Sequence, residues 1–269
     1  MSFKSKYIFI LTLLLFIFFT FSSCKKVKVS FDRDLNEILK SGRLAVLIDS
    51  SSLGYAVSGD SISGFQYEIV KAFADSLGVE LQITKQNDLG EAILSLENGE
   101  NDLIANFLPV TSEFKKLLLF SDPLITTRQM LVQRMTGDTV HYAFVKTQTD
   151  LTNDTIFLPA NSPFIMRIKH LSDEIAEEIY IQEMKNVNFE DMIRLVSEGK
   201  IKNTICPEQF VKKYQNQYSN VDFSMPLGFN QHYAWAVHVK STLLLEKLND
   251  FLADFIGSSA YWKIYRKYC

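Results

Sequence analysis

The pattern that most narrows the folds open to this chain is a repeated alternation of short apolar runs with one-faced helical stripes. Asp34 can cap a short helix carrying Leu35, Ile38 and Leu39 and ending near Gly42, and Arg43 to Asp49 (RLAVLID) reads as a buried strand. Ser50 to Ser63 is a Ser- and Gly-rich loop, hairpin-like around Gly59-Asp60. Phe65, Ile69, Phe73 and Leu77, with Val70 and Ala74 beside them, form a helical stripe, and Gly78 stands where a C-cap glycine belongs. Val79 to Thr84 follows as a strand, Ala92, Ile93 and Leu96 mark a helix closed by Gly99, and Leu103 to Ala105 is a third strand. Strands alternating with helices in this way pair in parallel through right-handed crossovers, because a right-twisted strand packs its helix back onto the sheet only with that hand. The fold class is therefore α/β.

The same grammar restarts downstream. Thr155 to Pro159 is a strand, Ser162 to Glu177 a helix, Glu178 to Gln182 a strand and Asn188 to Glu198 a helix. Ile93-x-x-Leu96-x-Asn98-Gly99 and Ile193-x-x-Val196-x-Glu198-Gly199 share helix, glycine and following strand. This suggests two similar lobes, against the alternative of chance likeness between two helix-glycine-strand units. A strand, Tyr233 to Val237, and two helices, Ser241 to Ile256 and Ser258 to Tyr268, close the chain.

The N-terminus carries Lys4 and Lys6, an apolar run of 15 residues from Tyr7 to Phe21, then Ser22, Ser23 and Cys24. Basic, apolar and small in that order is an export signal, and the run is short of the roughly 20 residues of a membrane-crossing helix. Residues 1–23 are expected to be a lipoprotein signal peptide, with Cys24 acylated as the new N-terminus and residues 24–33 as a polar tether. Phe21 is an imperfect residue three before that cysteine, and an uncleaved anchor helix is the alternative. Removing residues 1–23 moves the formal charge from −3 to −5, and no basic stripe remains to suggest nucleic acid as a partner. Cys206 and Cys269 are expected to be free thiols, although an oxidising compartment would let them pair.

Catalytic chemistry has no visible residues. The four histidines, His141, His170, His232 and His238, are scattered without metal-ligand spacing. There is no GxSxG elbow, Walker-type loop or GxGxxG after the first strand. No enzyme activity, metal or cofactor is expected. What remains is a set of polar residues at the carboxyl ends of strands, where open α/β sheets bind ligands. Ser52 and Tyr55 follow the first strand, Asn106 the third, Asn161 and Ser162 the first strand of the second half, and Glu208 follows Cys206. Ser162 can equally be a plain helix N-cap, a role compatible with ligand binding.

DLNEILKSGRLAVLI, SGFQYEIVKAFADSLGVELQI, LENGENDLIANFLPVTSE with LFSDPL, FEDMIRLVSEGKIKNTIC, NQHYAWAV and FLADFIGSSAYWKIYRKYC occur in that order. Together they resemble the type 2 periplasmic binding proteins of the polar-amino-acid type, over about residues 34–269. Gly64-Phe65-Gln66-Tyr67-Glu68, Gln129 to Arg134, and Gln231 with Ala234-Trp235-Ala236 look most like the non-catalytic domain of membrane-bound lytic murein transglycosylases of the F type. The resemblance implies two lobes, each a mostly parallel sheet flanked by helices: residues 34–128 with 236–269, and residues 129–235 with the hinge strands. It implies a monomer in the periplasm, lipid-anchored to the membrane, that closes on a small ligand: amino-acid-like, a peptide or a muropeptide fragment. An ABC permease would be the partner in transport, or a cell-wall enzyme if the chain is a non-catalytic accessory protein. In the transglycosylases a cleaving domain follows the helix that here ends at Tyr268, so their activity is not carried over.

Two departures qualify the implied site. Where relatives hold a ligand carboxylate with arginine, Thr111-Ser112-Glu113 is followed by Phe114, Lys115 and Lys116, and Phe cannot make the bidentate contact of guanidinium. The aspartate expected for a ligand ammonium aligns with Pro207, one residue before Glu208. An ordinary α-amino acid is then either not the ligand or is held by substitutes such as Lys115 and Glu208, with Thr111 also among the expected ligand-binding residues.

Overall fold

Asp34 caps the first helix as its position predicts: its carboxylate accepts the Leu35 N–H, Glu37 completes a capping box, and Gly42 ends the helix at φ 67°. The computed structural model describes residues 33–135 and 144–268. In its first half run α1 (Leu35–Ser41), β1 (Arg43–Ile48), the hairpin β2 (Ala56–Ser58) and β3 (Ser61–Ser63), and α2 (Phe65–Leu77). There follow β4 (Glu80–Lys85), α3 (Leu89–Glu97), β5 (Leu103–Pro109), β6 (Leu118–Phe120), β7 (Ile125–Thr127) and β8 (Gln129–Arg134). The second half continues with β9 (Thr155–Pro159), α4 (Ile165–Ile175), β10 (Tyr180–Met184), α5 (Phe189–Ser197), β11 (Asn203–Pro207) and α6 (Glu208–Tyr214). It ends with β12 (Val221–Asp222), β13 (Gln231–His238), α7 (Thr242–Phe255) and α8 (Ser259–Tyr268).

The strands form two lobes of related design. The first sheet has the order β4-β1-β5-β13-β6, with β7 also on β13, and the second has the order β10-β9-β11-β8-β12. In each, three parallel strands are followed by one antiparallel strand: β13 beside β5, and β8 beside β11. The helical units correspond as well. α3 starts at Leu89 behind an Asp88 cap and α5 at Phe189 behind an Asn188 cap. Gly99 and Gly199, one hundred residues apart, both take left-handed φ, at 70° and 72°. The helix-glycine-strand likeness read from the sequence thus sits at equivalent places in both lobes.

Burial follows the stripes. On α2, Phe65, Ile69, Val70, Phe73 and Ala74 are fully buried against strands whose residues Leu44, Val46 and Ile48 are equally inaccessible. In the second lobe Ile156, Leu158, Ile168, Leu171, Met192, Ile193 and Val196 do the same. Each buried aliphatic side chain of this kind contributes roughly 1.5–3 kcal/mol of transfer free energy.

Four local expectations shift. The third strand runs on to Pro109 instead of stopping at Ala105, so Asn106 lies inside β5; its Oδ1 accepts the Asp49 N–H at 2.7 Å, a side-chain bond a strand reading does not anticipate. α4 begins at Ile165, and Ser162 is not its cap; the Ser162 hydroxyl accepts the Phe164 N–H at 3.3 Å in the turn before it. Arg33, read as the last tether residue, is fixed by a bidentate pair to the buried Asp102 at 2.7 and 2.9 Å. β13 lies in the first sheet from Gln231 onward, because Gln231 already pairs with Thr127, so a return placed at Ala236 falls inside a strand. Cys24, His141 and Cys269 lie outside the described residues.

Candidate ligand cleft

Among the described residues two connections join the lobes, and each is short. Arg128 alone separates β7 of the first sheet from β8 of the second, and residues 223–230 lead back into β13. Across this crossing Gln129 Nε2 donates to Gln231 Oε1 at 2.8 Å and to the Tyr233 hydroxyl at 3.2 Å.

The carboxyl ends of the parallel strands of both lobes point into one cleft, as parallel βα units require. Its floor is a cavity of about 40 Å³ bounded by Asp49, Asn87 and Asn106 from the first lobe and Ser162 and Asn188 from the second, with Phe107, Pro159 and Phe189 among its apolar walls. That is space for a few waters at most, well below the roughly 300 Å³ of a usual ligand pocket. The lobes therefore stand close together around this cavity, and a larger occupant of it requires them to separate about the crossing.

Contacts between the lobes show what holds them. Asn161 Nδ2 donates to Asp88 at 2.8 Å, and Asn188 Nδ2 to the Ser50 hydroxyl at 3.2 Å. The Ser52 N–H donates to Glu190 at 2.9 Å. Beneath them Phe107 and Phe210 meet edge to face at 6.4 Å, with Phe65 behind one and Phe189 behind the other.

Asp49 is the charged group of the cavity. Burial pushes its carboxyl above the ordinary aspartate range, the Ser51 groups that hydrogen-bond it act against that rise, and the negative charge of Glu190 adds to it. Such a carboxyl would be relieved by a cation brought in beside it.

The expected site residues divide into those that meet in the cleft and those that do not. Asn106 and Ser162 line the cavity, while Ser52 and Asn161 make contacts between the lobes. Tyr55 stands edge to face on Tyr67 at 5.1 Å with Lys85 Nζ 5.1 Å from its ring, and does not line the cavity. Thr111 accepts the Phe114 N–H at 3.3 Å, and Lys115 is exposed. Glu208 is engaged by Arg128 at 3.0 Å beside the crossing. None of these three lines the cavity. Burial raises the Cys206 thiol pKa, which fits an inert core residue.

Sequence reading missed Asp49, Asn87, Asn188, Glu190 and Tyr214. Asp49 was within reach, since it directly follows the last residue of β1. Glu190 and Tyr214 sit on helices where charge and aromaticity have ordinary explanations, and only the docking of the lobes sets them apart.

Residues 42–269 match the bacterial extracellular solute-binding proteins, family 3. The chain belongs to that family. Among solved structures, the family 3 fold seen here is similar to an ancestral arginine-binding protein bound to arginine, with TM-score 0.71 and 22% identity over 84% of this chain and 98% of that one. It is also similar to a solute receptor for L-cysteine of Neisseria gonorrhoeae, with TM-score 0.75 and 16% identity over 88% of this chain and 93% of that one. At these identities the likeness shows the two-lobed periplasmic-binding-protein fold.

Curated relatives in sequence include membrane-bound lytic murein transglycosylase F of Desulfosudis oleivorans, 24% identical over 88% of this chain and 50% of that protein. The same-named protein of Saccharophagus degradans is 27% identical over 92% of this chain and 48% of that protein. The chain thus spans about half the length of these relatives. Among the described residues, no helix is long and apolar enough to cross a membrane, and no group of three or more His, Cys, Asp or Glu could hold a metal.

Proposed function

We propose that this chain is a cell-envelope solute-binding protein that captures a small ligand between its lobes for transport or sensing. The observation that carries this reading is the cleft itself: polar side chains from the strand ends of both lobes converge on one cavity beside a crossing short enough to act as a hinge. The ligand class follows from the lining. Asp49 calls for a positive group, apolar walls call for a compact body, and the three carboxamides Asn87, Asn106 and Asn188 supply orienting donors and acceptors. A small amine of amino-acid type fits this description.

The rest of the reading extends it. Residues 1–23 would be removed on export, acylated Cys24 would hold a monomer at the membrane surface in the periplasm, and an ABC permease would receive the ligand. Lobe one would take residues 34–128 with the C-terminal segment from the start of β13 at Gln231, and lobe two the span between. Chemistry on the ligand forms no part of this proposal.

The test is a thermal-shift screen of residues 31–269, which form one compact unit, against amino acids, polyamines, short peptides, sugars and muropeptides. A ligand that binds only the folded state at a hundredfold excess over Kd adds about 2.7 kcal/mol of apparent stability. A saturable shift with one class supports capture and identifies the ligand. A folded sample that responds to none of them would turn the assignment toward a second reading, a non-catalytic cell-wall accessory protein. That reading is favoured by the transglycosylase-named relatives and by the small cavity.

A further inference from the structure

Beside the cavity, the lobes are joined by a carboxylate held as a bound ligand would be. Glu190 is the second residue of α5 and reaches across into the turn that follows β1. Its Oε1 accepts from the Ser52 N–H at 2.9 Å, from the Ser52 hydroxyl and from the Tyr214 hydroxyl. Ser52 Oγ lies 3.1 Å from the Tyr214 hydroxyl and also accepts from Lys213 Nζ. One lobe supplies Ser52, and the other supplies the carboxylate, the phenol and the ammonium.

Three features separate this cluster from an ordinary surface contact. Three donors converge on a single carboxylate oxygen, and hydrogen bonds to a charged acceptor are roughly twice as strong as neutral ones. Tyr214 is only 8% exposed, so its hydroxyl has little recourse to water if Glu190 leaves. Lys213, exposed to solvent, brings its ammonium from the other lobe onto the same Ser52 hydroxyl. The arrangement is a site for an anionic oxygen whose occupant is part of the chain.

We propose that Ser52, Tyr214 and Lys213 form a carboxylate-receiving subsite that the chain fills with its own Glu190, clasping the lobes shut without ligand. An incoming ligand then competes with a tethered group, and one carrying its own carboxylate can take the place of Glu190. The clasp concerns the same cleft as the proposed function, but it is measured without any ligand, so a negative ligand screen leaves it standing.

The experiment places spin labels at Lys40→Cys in the first lobe and Glu177→Cys in the second, both exposed positions, in residues 31–269 carrying Cys269→Ser. The wild-type clasp is expected to give one short, narrow distance distribution in the absence of ligand. Glu190→Ala is expected to lengthen and broaden it, and sodium acetate is expected to restore the short distance where sodium chloride of equal ionic strength does not. A Glu190→Ala distribution identical to wild type overturns the clasp. Opening that acetate and chloride affect alike overturns the carboxylate subsite. Should Glu190→Ala fail to fold by circular dichroism, Ser52→Ala combined with Tyr214→Phe removes the hydroxyl donors and leaves the carboxylate. Opening of that variant supports the clasp, and an unchanged distance overturns it.

Discussion

The indole N–H of Trp235 donates to Gln66 Oε1 at 2.6 Å, and both side chains are buried. The bond ties the second residue of α2 to the strand that returns from the second lobe. It gives a physical reason for a glutamine in SGFQYE and a tryptophan in NQHYAWAV.

Gln66→Leu keeps the volume and strands a buried donor, which costs about 1–3 kcal/mol. The melting temperature should fall by roughly 2–4 °C per kcal/mol for a domain of this size. Adding Trp235→Phe removes the stranded donor, so the double variant should lose less than the sum of the single losses. A double-mutant cycle in urea measures this coupling, and simple additivity would show that the bond contributes little.

Gly64 has φ 149°, and a Cβ there would lie 1.9 Å from the carbonyl oxygen of Gly54. Neither the backbone of the site loop nor the start of α2 can yield cheaply. Gly64→Ala should therefore cost about 3 kcal/mol or more. Gly42→Ala is the control: its φ of 67° is also left-handed, but a Cβ there meets nothing within 4 Å, so only the conformational cost of roughly 1–2 kcal/mol remains. Denaturant melts of the two variants should separate clearly, and equal losses would contradict the close approach.

Asp49 makes a pH-dependent prediction. Its carboxyl is raised above the ordinary value of 3.8, with burial the first cause, so the folded chain holds this proton more tightly than the unfolded chain. The contribution is fully present below 3.8 and is lost as pH rises through the raised folded value. Asp49→Asn, which keeps an acceptor for the Ser51 N–H, should stabilise the protein at pH 7 by on the order of 1 kcal/mol. The gain should shrink as pH falls toward 4, and affinity for a cationic ligand should fall. A stability difference independent of pH would remove Asp49 as its source.

Much of the architecture was legible because it rests on local rules. Asp34 and Gly42 bound the first helix, the spacing of Phe65, Ile69 and Phe73 puts one face on the core, and Gly99 and Gly199 end equivalent units in both lobes. The placement of part of the candidate cleft was legible for the same reason, since polar residues just after parallel strands lie beside it; Ser52, Asn161 and Ser162 all do.

The α/β elements, their faces and the likeness of the two halves are written in the local sequence, because caps, turns and periodicity act over a few residues. Which polar residues come together at the candidate cleft depends instead on long-range packing. Asn106 is drawn into β5 by a bond to a backbone N–H 57 residues away, and Glu208 is taken up by Arg128, 80 residues earlier. Ser52 meets Glu190 across 138 residues. No local propensity encodes these partners. The Asn106 bond joins neighbouring strands of one sheet, whereas the Ser52–Glu190 contact exists because the two sheets are brought within hydrogen-bond range of each other, a distance that the chain on either side does not set.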